Sequence, residues 1–77
     1  MSENYILEHL ELGNKQVQFK HLTYDVFNTL DSLFIVFVTD EITNDRYSLA
    51  YNVNLEEAGK AIAEHIDRET IKSMSIG

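Results

Sequence analysis

The stretch that decides the fold is LFIVFVTDEITNDRYSLAYNV, residues 33–53. It opens with six consecutive apolar residues, far short of the roughly 20 that a membrane helix needs. From Tyr47 to Val53 apolar and polar side chains alternate, which is the period-two pattern of a half-buried strand. The dipeptide Asn44-Asp45 between the two halves is typical of tight hairpin turns. The stretch therefore predicts an antiparallel hairpin of strands 33–42 and 46–53.

The position of the turn sets the expected register of this hairpin. With the turn centred on Asn44-Asp45, Val38 faces Tyr51, and the apolar side chains of both strands share one face. A slip of one residue would break that match. Strand 33–42 is apolar on its second face as well, so that face needs a cover. The candidates are the N-terminal segment, residues 22–32 or another molecule.

After the hairpin the pattern changes to helical spacing. Asn54 is a suitable N-cap, and Glu57 lies at the capping-box position three residues on. Gly59 is expected to let the helix lie close to the sheet. The apolar stripe of this helix consists of Leu55, Ala58, Ile62 and Ile66. The segment therefore predicts a C-terminal helix that packs on one face of the sheet.

The N-terminal segment has two interpretations. A turn at Gly13-Asn14 would join two further strands, with one mostly apolar face between them. The rival is a helix that begins at Ser2, carries Ile6 and Leu10 on one face and ends at Gly13. Residues 22–32 are expected to form a bend or one helical turn after Tyr24, since apolar residues there are four apart.

Together these elements predict one α+β domain over residues 1–77. Its fold class is a small four-stranded antiparallel sheet, made of two hairpins, with one C-terminal helix packed on one face. The alternative is an N-terminal helix, a three-stranded antiparallel sheet and a C-terminal helix. A chain of 77 residues has room for one small core and excludes a two-domain enzyme with a cleft between lobes.

Composition and charge exclude several functions. The chain has 13 acidic and six basic residues, a net charge of −7, and no cysteine. Absence of cysteine removes disulfides, thiolate nucleophiles and cysteine-type metal sites. The six basic residues are scattered, whereas nucleic-acid and anionic membrane surfaces require basic clusters. The start Met1-Ser2-Glu3-Asn4 is not the basic start of a secretory signal, so a cytoplasmic location is expected.

Catalytic motifs are missing from the sequence. It contains no HExxH, no GxSxG, no phosphate-binding glycine loop and no EF-hand pattern. His65 and Glu69 share a helix face, but two ligands fall short of a metal site. We therefore expect no enzymatic activity, no catalytic residues, no cofactor and no metal.

The short length, the acidity, the lack of cysteine and a sheet with one or two helices resemble a known class of proteins. These are small acidic proteins of phages and mobile elements that block host defence enzymes, including some anti-CRISPR proteins. The resemblance covers composition and architecture, and it assigns no role to individual residues. It implies an inhibitor, located in a bacterial cytoplasm if the chain is phage-encoded.

The expected function is that of an inhibitor or adaptor that docks on a basic surface of a larger intracellular protein. If that surface normally holds nucleic acid, carboxylates take the place of phosphates. The expected partner contacts are Tyr24 and seven acidic residues, namely Asp25, Asp31, Asp40, Glu41, Asp45, Glu56 and Glu57. The alternative is a self-associating structural protein, a homodimer without catalytic activity. An uncovered apolar face would favour association with a second copy.

Overall fold

The computed structural model of the protein describes residues 3–74. The elements are, in chain order, α1 (Glu3–Glu11), β1 (Gln16–Phe19), β2 (Leu22–Leu30), β3 (Leu33–Asp40), β4 (Asp45–Val53) and α2 (Leu55–Met74). The strands form one antiparallel sheet in the order β1-β2-β3-β4. The predicted α+β class, with a four-stranded antiparallel sheet and a C-terminal helix, is confirmed, and an N-terminal helix is added to it.

The N-terminal segment is helical, which confirms the helix interpretation, and the alternative hairpin about Gly13-Asn14 is wrong. Ile6 and Leu10 are both buried on one face of α1. Their spacing of four is even, and it therefore fits one face of a helix and one face of a strand equally well. The chain leaves the helix at Gly13, whose φ of 99° suits glycine. The proposed N-cap Ser2 lies outside the described residues.

The segment that was predicted to bend after Tyr24 is the long strand β2. Leu22, Tyr24 and Val26 alternate into the core with exposed fractions of 3% or less. A two-residue turn joins β1 to β2, because Phe19 and Leu22 are direct partners. Lys20 takes a positive φ of 55° in that turn. Lysine does not usually mark such a turn, so the pattern did not reveal this hairpin.

Strands β3 and β4 pair as predicted, but in a different register. Val38 pairs with Tyr47, four residues before the predicted partner Tyr51. A shift of four leaves the alternation intact, so the pattern could not distinguish the two registers. Two irregularities, one on each side of Val36, shift the pairing of β3 with β4 by one more residue each. Tyr51 is consequently 66% exposed and lies outside the core.

A longer turn causes the new register. It uses residues 41–44 rather than two central residues. Asp40 holds it: its Oδ1 accepts the backbone N–H of Ile42 at 2.9 Å and that of Thr43 at 3.2 Å. Asn44 has the positive φ of 64° that completes the turn.

Helix α2 begins with the predicted capping box. The backbone N–H of Asn54 donates to Glu57 Oε1 at 3.1 Å, and the N–H of Glu57 donates to Asn54 Oδ1 at 2.8 Å. The predicted stripe is confirmed as well, since Ala58, Ile62 and Ile66 are fully buried. Gly59 does allow a close approach, but to the backbone of Leu7 in α1 rather than to the sheet.

Both helices lie on the same side of the sheet. Val17, Tyr24 and Val38 form one cross-strand row, and this row joins Ile6 of α1 and Ile62 of α2 in a single buried cluster. The other side of the sheet is covered by neither helix.

Candidate functional site

The side of the sheet opposite the helices is called the open face. Its rows follow from the strand register: Phe27 lies beside Ile35, and Asp25 beside Phe37. The ring of Phe27 meets the ring of Phe37 edge-on, with centroids 5.9 Å apart. Phe27 is 47% exposed even so. Apolar side chains therefore lie in contact with water at the centre of this face.

The same apolar area continues toward the turn between β2 and β3. Leu30 pairs with Leu33 at the end of the two strands, and Leu30 is 66% exposed. The turn itself is held by the side-chain amide of Asn28, which donates to the carbonyls of Asp31 and Leu33. Apolar side chains therefore extend from the centre of the open face to the turn between β2 and β3, and hydrogen bonds from Asn28 order that turn.

The other half of the open face is polar but internally paired. Arg46 and Asp25 form an ion pair with 3.7 Å between Nη1 and Oδ2. Gln16 Nε2 donates to Asp25 Oδ1 at 3.0 Å. The guanidinium of Arg46 also lies 4.8 Å above the ring centroid of Phe37, a cation–π distance. Arg46 therefore balances the charge of Asp25 on this face.

Acidic charge is concentrated on the helices instead. Helices α1 and α2 contain eight acidic and three basic residues, a net charge of −5 out of −7. We call the solvent-facing surface of these two helices the helical layer. Glu56, Glu64 and Asp67 are exposed on its α2 half. The molecule is thus strongly acidic on one side and close to neutral on the other.

The expected partner contacts do not form one patch. Asp40, Glu41 and Asp45 lie in and beside the turn between β3 and β4, and each has local bonds. Glu41 accepts from the hydroxyl of Thr23 at 2.8 Å, and Asp45 accepts from the hydroxyl of Thr43 at 3.0 Å. These three carboxylates are therefore part of the turn structure as well as of the surface.

The remaining acidic residues lie elsewhere. Asp31 is in the turn between β2 and β3, and Glu56 and Glu57 begin α2 at that same end of the sheet. The eight residues of β3 separate this end from the other, which is roughly 25 Å at about 3.3 Å per residue. Asp25 lies between the two ends, on the open face.

Tyr24 was expected to be an exposed partner contact, and this prediction is wrong. Its side chain is fully buried, because its position in β2 points toward the helices. The Tyr24 hydroxyl lies 2.7 Å from Nδ1 of His65, and the Tyr47 hydroxyl lies 2.8 Å from Nε2 of the same ring. His65, which is 7% exposed, therefore bridges two tyrosines from different strands.

This bridge requires a neutral imidazole to satisfy every group. A neutral ring has one donor and one acceptor nitrogen, so one tyrosine donates to it and the other accepts from it. Burial lowers the pKa of His65, which favours the neutral form. Burial and the Glu69 carboxylate raise the pKa of both Tyr24 and Tyr47. All three groups are thus held uncharged.

A cleft of about 440 Å³ lies beside the bridge. Its walls are Tyr47, Leu49 and the C-terminal half of α2, including Arg68, Glu69 and Lys72. Glu69 and Lys72 form an ion pair at 3.8 Å. Because both ring nitrogens of His65 already have partners, this residue is not available to the cleft as a free general base.

The other histidines also have local partners. His9 Nε2 is bonded to the carbonyl of Gln16 at 3.1 Å, and His21 Nε2 lies 3.7 Å from Asp40 Oδ2. Over residues 3–74 the structure brings together no group of three or more metal-ligating side chains. Within that same range no helix combines the length and the apolar character needed to cross a membrane.

Sequence reasoning missed the centre of the open face. The sequence pattern placed Phe27 in a bend and Arg46 at the first position of strand 46–53, with no partner for either side chain. The available signal was the two-sided apolar pattern of residues 33–38, which required a second apolar surface beside it. Comparison of the chain with protein-family models, with curated proteins and with solved structures found no match.

Proposed function

We propose that this protein is a non-catalytic binding module, an inhibitor or adaptor, that docks its acidic helical layer on a basic surface of a larger intracellular protein. The observation that carries the proposal is the net charge of −5 on α1 and α2. Opposite charge steers association and accelerates encounter with a basic partner. Where that partner surface binds nucleic acid, the carboxylates replace its phosphates.

The local bonding of the acidic residues supports this choice of surface. Asp40 is engaged by two backbone N–H groups of its own turn. Glu56, Glu64 and Asp67 are exposed, so their charges can meet a partner at little cost to the fold. The near-neutral open face contributes little to this electrostatic attraction.

The neutral bridge at His65 supports a function without catalysis. Both of its ring nitrogens are bonded to tyrosine hydroxyls, and His9 and His21 also have local partners. A general base needs a free nitrogen within reach of a substrate proton. His65, whose two nitrogens are both bonded, therefore serves the structure of the fold.

Affinity capture with matched baits tests the proposal. The first bait is the unaltered protein, and the second carries Glu56→Gln, Glu64→Gln and Asp67→Asn on the helical layer. The control bait carries Asp31→Asn, Glu41→Gln and Asp45→Asn, which removes the same charge from the ends of the sheet. We expect the unaltered and control baits to retain a basic protein that the second bait loses.

Salt provides a second criterion, because exposed charges are screened beyond about 8 Å at physiological ionic strength. Retention of the basic protein should fall as salt rises from 0.05 to about 0.3 M. The proposal fails if the helical-layer variant retains the same partner as the unaltered protein. It also fails if the captured partner is acidic or is insensitive to salt.

A further inference from the structure

We propose that the open face binds a second copy of this chain, sheet against sheet, in a symmetric dimer with both helical layers on the outside. A two-fold interface uses the same patch on both subunits. The open face and the helical layer lie on opposite sides of the molecule, so this inference does not depend on the proposed docking of the helices.

The apolar half of the open face gives the driving force. Phe27 and Leu30 are 47% and 66% exposed, and they adjoin Ile35 and Leu33 on the neighbouring strand. Burial of such side chains is favourable in proportion to the apolar area removed from water. The contact between Phe27 and Phe37 orders two of these rings before association, so little side-chain freedom remains to be lost.

Charge selects the open face, rather than the helical layer, as the contact surface between two copies. Two molecules of net charge −7 repel each other, and contact between their helical layers would bring the strongest charges together. On the open face Asp25 is paired with Arg46 within each subunit. Face-to-face packing therefore keeps the acidic helices of the two subunits as far apart as the fold allows.

The polar groups of the face do not prevent this packing. Gln16 and Arg46 both bond to Asp25 within one subunit, which leaves further donors of their side chains at the surface. In a two-fold arrangement these donors can reach the carboxylate or the backbone of the other copy, as interface rims commonly do.

The size of the face places the expected interface at the small end of specific dimers. Four strands and about eight residues of length give a face of roughly 19 by 26 Å, or about 500 Å². Two such faces cover roughly 1,000 Å² in total, which is the lower limit for a specific interface. We therefore expect a reversible dimer with a dissociation constant in the micromolar range.

Sedimentation velocity from about 1 to 300 μM tests the dimer with two matched variants. Phe27→Glu places like charges against each other across the interface. Leu12→Glu makes the same change at a side chain that is 77% exposed beside α1. We expect the unaltered protein and Leu12→Glu to dimerise as concentration rises, and Phe27→Glu to associate at least tenfold more weakly.

A single-cysteine reporter decides the question if Phe27→Glu does not fold. The chain contains no cysteine, and Ser48 pairs with Phe37 on the open face. The reaction rate of Ser48→Cys with a thiol reagent should fall severalfold as protein concentration rises, while that of Lys60→Cys on α2 stays constant. A monomer at 300 μM, or equal behaviour of the two cysteines, overturns the proposal.

Discussion

Tyr24 and His65 are 41 positions apart in the sequence, and a hydrogen bond of 2.7 Å joins them between the sheet and α2. Their rings meet edge-on, with centroids 5.5 Å apart. Tyr47 completes the bridge at the other nitrogen of His65, at 2.8 Å. One imidazole therefore connects β2, β4 and α2, and its protonation state is linked to the stability of the whole fold.

Stability should decrease as the pH falls below about 6.5, the ordinary pKa of histidine. The unfolded chain binds a proton at His65 near that pH, whereas burial lowers the pKa of His65 in the folded protein. Because the unfolded state then holds more protons, the free energy of unfolding falls with falling pH until the folded pKa is passed. Urea unfolding at pH 8, 7, 6 and 5.5 measures this.

The groups around His65 define the control for this experiment. Glu69 favours the charged ring, whereas Arg68 and Lys72 oppose it, and the two tyrosine hydroxyls face the ring from β2 and β4. His65→Asn should flatten the pH dependence between 7 and 5.5, and His9→Gln should leave it unchanged. An unchanged slope in His65→Asn would contradict the assignment.

The two tyrosines of the bridge should differ in their contributions. Tyr24→Phe leaves Nδ1 of His65 buried without this partner, which costs about 1–3 kcal/mol. Tyr47 is 49% exposed, so water can replace its hydroxyl, and we expect Tyr47→Phe to cost less than about 1 kcal/mol. Urea midpoints of the two variants measure the difference. Equal losses would show that the two hydroxyls are equally accessible to solvent.

Gly59 should tolerate one methyl group and no more. A Cβ at this position would lie 3.4 Å from the Cα and 3.5 Å from the nitrogen of Leu7, which is ordinary contact. Alanine in a helix interior gains about 1 kcal/mol over glycine, so Gly59→Ala should equal or exceed the unaltered stability. Gly59→Val should lose about 1–3 kcal/mol, because its extra methyl groups force α1 away. A similar loss in both variants would mean that the helices cannot adjust at all.

For the stability of the fold, the hydrogen-bond acceptor that Asp40 supplies to its turn should matter more than its negative charge. Asp40→Ala removes the acceptor of two turn N–H groups, and we expect it to cost about 1 kcal/mol. Asp40→Asn keeps an acceptor and relieves repulsion with Asp45, its direct cross-strand partner. Thermal unfolding should therefore rank asparagine at or above the unaltered protein and alanine below it. The opposite order would show that the charge of Asp40 stabilises the turn.

Some elements could be predicted because their determinants are local. The capping box from Asn54 to Glu57 depends on four consecutive residues, and the stripe of α2 on one helix face. The hairpin of β3 and β4 follows from a short alternating segment. Other elements could not be distinguished locally. Ile6 and Leu10 are four apart, and an even spacing fits both a helix face and a strand face.

The sequence by itself determined the class of the fold, the C-terminal helix and the sign of the net charge, since these follow from neighbouring residues and from composition. Only the tertiary structure decided which surfaces the protein presents. The packing of α1 beside α2 combines two distant acidic segments into one layer. The turn at Asp40 sets the register that places Tyr47 at His65 and Arg46 above Phe37. These relations join residues far apart in the chain, so no local pattern records them.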